Sequence, residues 1–465
     1  MNSINNINSN SEQAIPKHWQ LKKLGEVCNI FPGYGFPKNL QGSKSGKFPF
    51  YKVGDISNNV KVGNRQLEIC NNYIDEKILL KLKASPYPKN TIVFAKIGEG
   101  LKLNRRAIIK TPGIVDNNAI GLKAIEKICD DLFLFFFLTT VKLEDYSKAT
   151  TVPSVRKSEI EEIEIPLPPL PEQLAIVSKI EELFSELDKG VESLKTAQQQ
   201  LKVYRQSLLK WAFEGRLTSA YFDKAQHEPL SGRPRLLSEA ETSGNIAAEE
   251  KEKYGNNELP KGWKWMKLDS VCTKIQDGSH FSPQVQYDEP GVDRFMYITA
   301  KNIRNDHMDF RKLSYVDRDF HESIFGRCNP EFGDVLLTKD GINTGEVTLN
   351  TLHEPFSLLS SVCIFKTKKE QLISPFLKYF IQSPFGNKAI LNSMTGTAIK
   401  RIILRKIKDA LIALPPLKEQ QRIVDELESR LTVCDKIEKT INEGLQQSEA
   451  LRQSILKRAF EGRLV

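Results

Sequence analysis

Two short stretches have residue types that could support catalysis, and each lacks a part that the chemistry requires. Phe31–Gly35 has the glycine spacing of a cofactor-binding turn in AdoMet enzymes, but no Asn-Pro-Pro-Tyr or Asn-Pro-Pro-Phe tetrapeptide accompanies it. Gly42–Phe48 is similar to a phosphate-binding P-loop, with one residue too few between its glycines and Phe48 where a hydroxyl should hold the metal. We interpret the first as a strand-to-loop turn and the second as an exposed basic loop.

Metal and redox chemistry find no support in the sequence either. The six histidines are scattered without the spacing of a metal site. The acidic pair Asp75-Glu76 lacks the context of a nuclease and is typical of a solvated turn. The seven cysteines form no CxxC pair, which favours reduced thiols in a cytoplasm. The sequence therefore predicts a protein without a catalytic site, a cofactor or a metal.

Another set of residues has the chemistry for reading DNA. Arginine can pair bidentately with guanine, and asparagine with adenine. For any one of these residues, the alternative is a solvated loop that contacts only phosphates. The candidates are Lys96, Asn104, Arg105 and Arg106 in the first half of the chain, and Lys301, Arg304, Lys339 and Asn343 in the second.

The charge is divided unevenly along the 465 residues, whose net charge is +9. Residues 1–170 carry 24 Lys and Arg against 17 Asp and Glu, and residues 259–417 carry 22 against 17. Residues 171–217 and 418–465 are neutral, and residues 218–258 are acidic. Two basic bodies with neutral spacers indicate two contacts with a polyanion, although a small excess of this kind also lies within ordinary scatter.

The chain contains an internal repeat. Thr150–Leu217 aligns with Thr397–Leu464 without a gap, at a constant offset of 247, with 27 identities in 68 positions. The basic segments that precede the two copies correspond only loosely, as in Trp19–Cys28 against Trp263–Cys272. This pattern indicates two bodies of one fold with different interiors, followed by two similar spacers.

The two spacers have the pattern of long helices. After a Pro-Pro pair, apolar residues recur every three or four positions for about 32 residues, and Gly215 and Gly462 suit C-terminal caps. A helix of about 42 residues spans ~60 Å and cannot bury an apolar stripe alone. Because the order is body, helix, body, helix, we expect the two helices to pair antiparallel, with a pseudo-two-fold axis. Packing against a second copy of the chain is the alternative.

The predicted fold class is α+β, with two similar globular domains separated and followed by the long helices. We expect strands at 50–56, 91–97, 297–303, 334–339 and 362–367, and body helices at 131–140 and 375–382. The expected divisions are a disordered tail (1–15), a first globular domain (16–166), a first spacer helix (167–217), an acidic linker (218–258), a second globular domain (259–413) and a second spacer helix (414–465).

This layout resembles the specificity subunit of a type I restriction–modification enzyme. The resemblance covers the chain from about Pro16 to Val465, and it depends on short signatures that occur twice in the same order. The signatures are the Trp-containing starts Pro16–Trp19 and Leu259–Trp263, the segments Leu167–Gln173 and Leu414–Gln420, and the exits Ala212–Leu217 and Ala459–Leu464.

The resemblance implies a non-catalytic, sequence-specific subunit that binds double-stranded DNA. Each body would be a target recognition domain that reads one half of a split, asymmetric site. The helices would set the gap and dock two DNA methyltransferase subunits, and two motor–nuclease subunits would complete a site-specific deoxyribonuclease and adenine methyltransferase. Phe213 and Phe460 either anchor the partner or close the helix ends.

Two other functions and a membrane location fit the sequence less well. A nuclease or methyltransferase would need a motif that is absent, and a coiled-coil scaffold for proteins alone would leave the two basic bodies without a purpose. The longest apolar run, Leu132–Leu138, is seven residues, whereas a membrane span needs about 20. We therefore expect a cytoplasmic, DNA-associated protein with no membrane contact.

Overall fold

The computed structural model describes residues 15–147, 152–218, 259–391 and 401–465. Apart from Ile15 and Thr218, the predicted tail (1–15) and acidic linker (218–258) lie outside the described residues. The chain divides into two compact units, one formed by residues 1–195 with 442–465, and the other by residues 196–441. Each unit contains one α+β body and a part of each long helix.

The first body comprises residues 15–167 and is built from short strands and short helices. Its strands are β1 (Gln20–Lys23), β2 (Cys28–Pro32), β3 (Phe48–Tyr51), β4 (Gln66–Leu67), β5 (Tyr73–Ile74), β6 (Ile92–Ala95), β7 (Arg106–Ile109), β8 (Ile114–Val115), β9 (Ala119–Ala124) and β10 (Glu164–Leu167). Its helices are α1 (Leu24–Val27), α2 (Val53–Lys61), α3 (Glu76–Leu82), α4 (Glu99–Lys102), α5 (Asp131–Thr140) and α6 (Lys157–Glu161), with 3₁₀ turns at Lys38–Leu40 and Leu143–Tyr146.

Three sheets organise the first body. The largest has the strand order β2-β9-β6-β7-β4, a smaller one has the order β5-β3-β8, and β1 pairs with β10. In the largest sheet, strands β6 and β7 are buried along their whole length, which explains the continuous apolar runs in their sequences. The apolar helix α5 packs on this core after the Asp130 carboxylate caps it by accepting the N–H groups of Leu132 and Phe133.

The second body, residues 259–414, repeats this plan. Its strands are β11 (Lys264–Lys267), β12 (Cys272–Asp277), β13 (Arg294–Ile298), β14 (Ser314–Asp317), β15 (Val335–Thr338), β16 (Val347–Leu349), β17 (Ser357–Leu358), β18 (Val362–Thr367) and β19 (Leu411–Leu414). Its helices are α8 (Leu268–Val271), α9 (Arg318–Cys328), α10 (Ser374–Gln382), α11 (Pro384–Leu391) and α12 (Leu404–Asp409), with a 3₁₀ turn at Ala300–Asn302.

The sheets of the second body match those of the first, except that its large sheet has no counterpart of β4. The orders are β12-β18-β15-β16, β14-β13-β17 and β11-β19. In both small sheets the middle strand has one antiparallel and one parallel neighbour. The scaffold is therefore shared, whereas the connections differ: α2 and α4 of the first body correspond to a 3₁₀ turn and a glycine-flanked loop in the second.

Two helices of 44 residues each follow the bodies: α7 (Leu170–Phe213) and α13 (Leu417–Phe460). At ~1.5 Å per residue each spans ~66 Å. In the first unit Asp188 pairs with Arg452, and a side chain on Gly444 would meet Leu194 at 3.2 Å, so small Gly444 permits a close approach. As the residue number rises along α7, the number of its partner on α13 falls.

In the second unit the same relation holds. The guanidinium of Arg205 lies 2.6 Å from the carboxylate of Asp435 and 2.9 Å from that of Glu438. Arg205 and Asp435 are the counterparts, at the offset of 247, of Arg452 and Asp188. The predicted α+β class and the antiparallel pairing of the helices within one chain are confirmed.

Each body is fastened to its helix by an equivalent buried glutamine. The side-chain amide of Gln173 accepts the N–H of Asp130 at 2.8 Å and donates to the carbonyls of Ile128 and Pro168. Gln420 makes the same three bonds in the second unit, to Ile373, Gln371 and Pro415. The Glu-Gln pair of each repeat thus has a structural role at the start of the helix.

Two of the predicted strands are wrong in their second halves. The strand expected at 50–56 ends at Tyr51, because the Asp55 carboxylate accepts the N–H of Lys52 at 2.9 Å and starts α2. The strand expected at 297–303 ends at Ile298, because Thr299 caps a 3₁₀ turn. In both cases a local side-chain hydrogen bond competes with the sheet.

Candidate nucleic-acid interface

Most of the candidate DNA-reading residues lie on loops that leave the large sheets, whereas Arg106 is the first residue of β7, and Lys301 and Arg304 follow β13 of the small sheet. In the first body the others occupy the loop between β6 and β7, residues 96–105. The backbone of Lys96 fixes the base of this loop, since its N–H donates to the carbonyl of Asn118 and its carbonyl accepts the N–H of Val155, both at 2.9 Å. The loop therefore leaves the sheet from a defined position.

Two of the four candidates in the first body face solvent, and two brace the body. Lys96 and Arg105 are half-buried and make no side-chain ion pair among the residues that the structure describes. Arg106 is only 4% exposed; its guanidinium donates to the side-chain oxygen of Asn104 at 2.9 Å and to the carbonyl of Val141 at 2.7 Å. Asn104 also donates to Val141, at 3.0 Å.

The burial of Arg106 has a clear electrostatic consequence. Removal from water lowers the pKa of its guanidinium to about 9, so the group remains a cation at neutral pH. The hydrogen bonds of Arg106 to carbonyl oxygens offset part of the cost of removing its charge from water. The same bonds connect the end of the 96–105 loop to the segment after α5. In this conformation Arg106 and Asn104 hold Arg105 in place rather than project outwards.

In the second body the loop between β15 and β16, residues 339–345, is in the same position. Lys339 is 5% exposed, with its Nζ 3.0 Å from a carboxylate oxygen of Asp340 and 3.5 Å from one of Asp277. Burial works to raise the pKa of Asp277, but a hydrogen bond from Arg327 and the nearby cations hold it below its usual value. Lys339 is thus part of a buried charge cluster.

The other candidates in the second body differ in exposure. Lys301 is exposed and makes no side-chain ion pair within the described part of the chain. Arg304 is engaged: it donates to the carbonyl of Ile303 at 2.6 Å and lies 3.5 Å from the carboxylate of Glu346. Asn343 makes a long bond, 3.4 Å, to the carbonyl of Ala300. The structure therefore brings the loop after β13 and the loop after β15 together.

Sequence reasoning missed two features of this face. Arg401, whose side chain is 65% exposed, pairs with Asp340 at 3.0 Å; it lies in the repeated segment Thr397–Leu464 and was not among the candidate residues. Ile342 is fully exposed on the same loop, and a search for charged residues passes over an isoleucine. In the internal repeat, Arg401 aligns with Ser154. Because the first body has no cation at that position, the alignment gave no signal for Arg401.

Phe213 and Phe460 lie at the ends of the helices, inside the contact with the bodies. The ring of Phe460 is 5.1 Å from Phe133 and 5.5 Å from Phe137 of α5. Phe213 contacts α10 in the same manner, at 5.0 and 5.5 Å from the rings of Phe376 and Phe380. Both are buried, which is where a residue that closes a helix end lies.

The paired helices leave apolar residues exposed elsewhere. Tyr204 of α7 is 38% exposed, and its counterpart Leu451 of α13 is 51% exposed. Other exposed apolar residues on the helices are Leu174, Val203, Val433 and Ile437. The pairing of the two helices therefore buries only part of the apolar stripe from which they were predicted.

Within the described residues, no three His, Cys, Asp or Glu side chains come together in a way that could hold a metal ion. The seven cysteines, all within described segments, are free thiols. Burial raises the pKa of several of them, as for Cys28 to about 12, which disfavours the reactive thiolate form. No described helix has the length and apolar character needed to cross a membrane.

Comparison with known proteins gives the same picture along the whole chain. A family model described as the type I restriction modification DNA specificity domain matches residues 16–201 and again residues 260–447. The EcoKI type I specificity subunit of Escherichia coli K12 is 23% identical over 467 residues, covering 98% of this chain and 91% of its own length. The MjaVIII specificity subunit of Methanocaldococcus jannaschii is 24% identical, covering 97% and 94%.

Solved structures share the fold. The crystal structure of the HsdS subunit from Thermoanaerobacter tengcongensis has a TM-score of 0.53 at 20% identity, covering 97% of this chain and 98% of that one. A chain from a structure on assembly and conformational transition of the type I R-M system has a TM-score of 0.67 at 19% identity, covering 97% and 99%.

Proposed function

This chain belongs to the family of type I restriction modification DNA specificity domains, and from that premise we propose that it is the DNA-recognition subunit of a type I restriction–modification complex. It catalyses nothing itself. The assembled complex would cut DNA and methylate adenines, and the chain would select the site. We place this activity in the cytoplasm, with the chromosome as substrate.

One observation carries the proposal: a single scaffold occurs twice in the chain, with different loops at the same end. The strand orders of the two bodies correspond, whereas the 96–105 and 339–345 loops differ in sequence, backbone and exposed charge. Two domains that share a scaffold but have different loops are suited to binding a site made of two different halves. We propose the domain divisions 16–166 and 259–413 as these two recognition domains.

The exposed cations are the residues that we assign to DNA contact. Lys301 in the second body is exposed, Lys96 and Arg105 in the first are partly exposed, and none of the three has an ion pair among the described residues. A base-reading arginine would contribute ~1–3 kcal/mol of discrimination. Arg304 and Asn343 are partly engaged and can rearrange on contact with DNA. Arg106, Asn104 and Lys339 support these loops from within.

We further propose two methyltransferase subunits, one for each repeat, and two motor–nuclease subunits in the full complex. Support comes from Tyr204 and Leu451, which occupy equivalent positions on the two helices and are both exposed. Apolar side chains at equivalent places offer a partner two similar surfaces. The helices, ~66 Å long, would set the distance between the half-sites at about one helical turn, ~34–36 Å.

DNA binding by the reconstituted complex tests the proposal. The chain is assembled with its methyltransferase, and its affinity for genomic fragments is measured at several salt concentrations. We expect a plot of log affinity against log salt with a slope of several units, because phosphate contacts release counterions. At fixed salt, one class of fragments should bind at least ~10³-fold more tightly than the others.

A protein-only scaffold is the rival interpretation, and the same experiment separates the two. If the assembled complex binds all fragments weakly and equally, the bodies do not read sequence. Methyl transfer by the purified chain alone would instead contradict its assignment as a non-catalytic subunit. The control is the methyltransferase without this chain, which should show no preference among fragments.

A further inference from the structure

Both bodies present an exposed aliphatic side chain on the loop that carries the candidate cations. In the second body Ile342 is 102% exposed at the tip of the 339–345 loop. In the first body Ile97 and Leu103 are 38% and 52% exposed on the equivalent 96–105 loop. An exposed isoleucine alone is ordinary, but exposed aliphatic side chains on the equivalent loop of both bodies call for a common cause.

The tip that carries Ile342 is held in a defined shape. Backbone bonds of 2.8 Å from Gly345 to Thr338 and from Thr338 to Glu346 close the loop at its base. Gly341 and Gly345 have φ angles of +106° and +100°, which other residues rarely adopt. The Thr344 hydroxyl donates to the Gly341 carbonyl at 2.6 Å. Ile342 is therefore projected by an ordered turn.

The surroundings of this tip are polar and include several cations. Arg401 pairs with Asp340 beside it, and Asn343 follows it and bonds to the loop that carries Lys301. Cations at this edge would bring the phosphate backbone close, so the apolar tip would approach the base edges. In the major groove, the apolar group on those edges is the thymine C5-methyl.

We propose that Ile342 is a specificity-determining residue that packs against the C5-methyl group of one thymine in the half-site of the second body. This rests on the proposed function and deepens it by naming a chemical group on the DNA. Ile97 has the corresponding role in the other half-site. An apolar contact explains an exposed isoleucine among charged residues, since the side chain loses its water only when the target is bound.

The test is a thermodynamic cycle between side chain and base. After the target site has been mapped, each thymine in both half-sites is replaced singly by deoxyuracil, which lacks only the methyl group. Affinities of the assembled complex are measured for the wild type and Ile342→Ser at one salt concentration. We expect one position at which deoxyuracil weakens the wild type about fourfold, as for one buried methyl group, and does not weaken Ile342→Ser.

Matched variants give the cycle its controls. Val292→Ser removes a side chain that is 93% exposed before β13, at the end of that strand opposite to Lys301, and it should keep the full fourfold response. Ile342→Val retains a branched apolar tip and should keep most of it. Ile97→Ser should lose the response only to a thymine in the other half-site. Native mass measurement confirms that each variant assembles.

Two results would overturn the inference while leaving the proposed function intact. One is an Ile342→Ser variant that keeps the wild-type response to deoxyuracil at every position. Another is equal weakening on every duplex, which would indicate a wedge or a phosphate-side contact. If the wild-type complex prefers no site at all, the proposed function itself fails.

Discussion

The lysines that follow β6 and β15 occupy the same place in the two bodies and have different roles. The backbone N–H and carbonyl of Lys96 and of Lys339 make equivalent hydrogen bonds, all of 2.9 Å. The Lys96 side chain faces solvent in part, whereas that of Lys339 lies between two carboxylates at 5% exposure. Because main-chain hydrogen bonds hold the backbone of this lysine in both bodies, its side chain can have a different role in each. That of Lys96 can contact DNA, and that of Lys339 stabilises the body from within.

The contact between body and helix shows the same contrast on a larger scale. In the first unit it is filled by aromatic rings. Phe136 packs edge-on to Phe184 of α7 at 5.8 Å, and the guanidinium of Arg65 lies 5.4 Å from the Phe136 ring while it pairs with Glu181 at 2.8 Å. Aromatic rings thus fill this contact in the first unit, with one partly exposed ion pair at its edge.

In the second unit the equivalent place is open and polar. Lys378 and Tyr379 stand where the first unit has Phe135 and Phe136, and with the helices they line a groove of about 950 Å³. Burial lowers the pKa of Lys378 although Asp306 and Glu428 are near. The same contact between body and helix is thus aromatic in one unit and polar in the other. A partner would therefore find different residues beside the two equivalent helix surfaces.

The largest expected effect comes from lengthening both helices. This changes the helix pair that follows the two bodies and leaves their differing loops unchanged. Four residues are inserted within Gly190–Gln200 and four within Asn442–Gln447, between the two ion pairs that fix the register. The pair should lengthen by ~6 Å, so the gap should grow by about two base pairs at 3.4 Å each. Affinity for the original site should fall by ~10³-fold or more, to the non-specific level.

Mapping the methylated site of the lengthened complex provides the measurement. Both half-site sequences should be unchanged on either side of the wider gap. An active complex whose gap stays fixed would mean that the partner subunits, and not the helices, position the bodies. A four-residue insertion in α7 alone is the control, and it should abolish activity because it breaks the register of the helices.

The joint between helix and body tests the shared part of the comparison. Phe213→Ala and Phe460→Ala should each destabilise the isolated chain by ~3–5 kcal/mol, because each ring fills a buried site between two phenylalanines. Denaturant unfolding of the chain without partners measures this. Unchanged unfolding together with lost methyltransferase binding would instead make both residues partner anchors.

Removing one lysine from each body tests the difference at the equivalent position. Lys339→Met should cost ~3 kcal/mol, because it leaves two carboxylates with one cation fewer, whereas Lys96→Met should change stability by less than ~0.5 kcal/mol. Equal losses in the two variants would show that the two lysines have the same role. Denaturant midpoints at neutral pH provide the comparison.

The same pair predicts a pH effect. The pKa of Asp277 in the folded chain lies below its usual value, so its contribution to stability is present above pH ~4 and is lost as the pH falls through the folded pKa. Lys339→Met removes a cation and raises that pKa, so the acid unfolding midpoint of the variant should move to higher pH. Lys96→Met should leave the acid midpoint where it is in the wild type.

The smallest effects are those of single exposed cations on recognition. Arg105→Ala should reduce discrimination by ~1–3 kcal/mol in one half-site, and Lys301→Ala should act on the other half or on affinity alone. Binding to duplexes altered in one half at a time measures this. The control, Lys89→Ala, removes an exposed cation before β6, at the opposite end of the strand from Lys96, and should change neither half.

The sequence predicted the helices well because their determinants are local and repeated. Asp188 and Arg205 recur as Asp435 and Arg452 at the offset of 247, which is the arrangement that lets two antiparallel helices make the same ion pair twice. The start of each helix was marked by the Glu-Gln pair. The run at Leu132–Leu138 likewise became α5, with the expected bounds.

The candidate interface was harder to predict because exposure depends on distant partners. Nothing near Lys339 in the sequence indicates that Asp277, some sixty residues earlier, will enclose it, and nothing near Arg106 indicates a bond to Val141. Strand ends failed for a related reason, since one carboxylate, Asp55, was sufficient to begin a helix. Types of residue were visible in the sequence, whereas their orientation was set by tertiary packing.

The most direct test of the account is a map of methylated bases across the genome of cells that carry this chain with its partner subunits. We predict one split, non-palindromic site, with two different half-sequences, a fixed gap of several unspecified base pairs, and a modified adenine in each half. A palindromic site, or a single uninterrupted one, would contradict the claim that the two bodies read two different halves of one site.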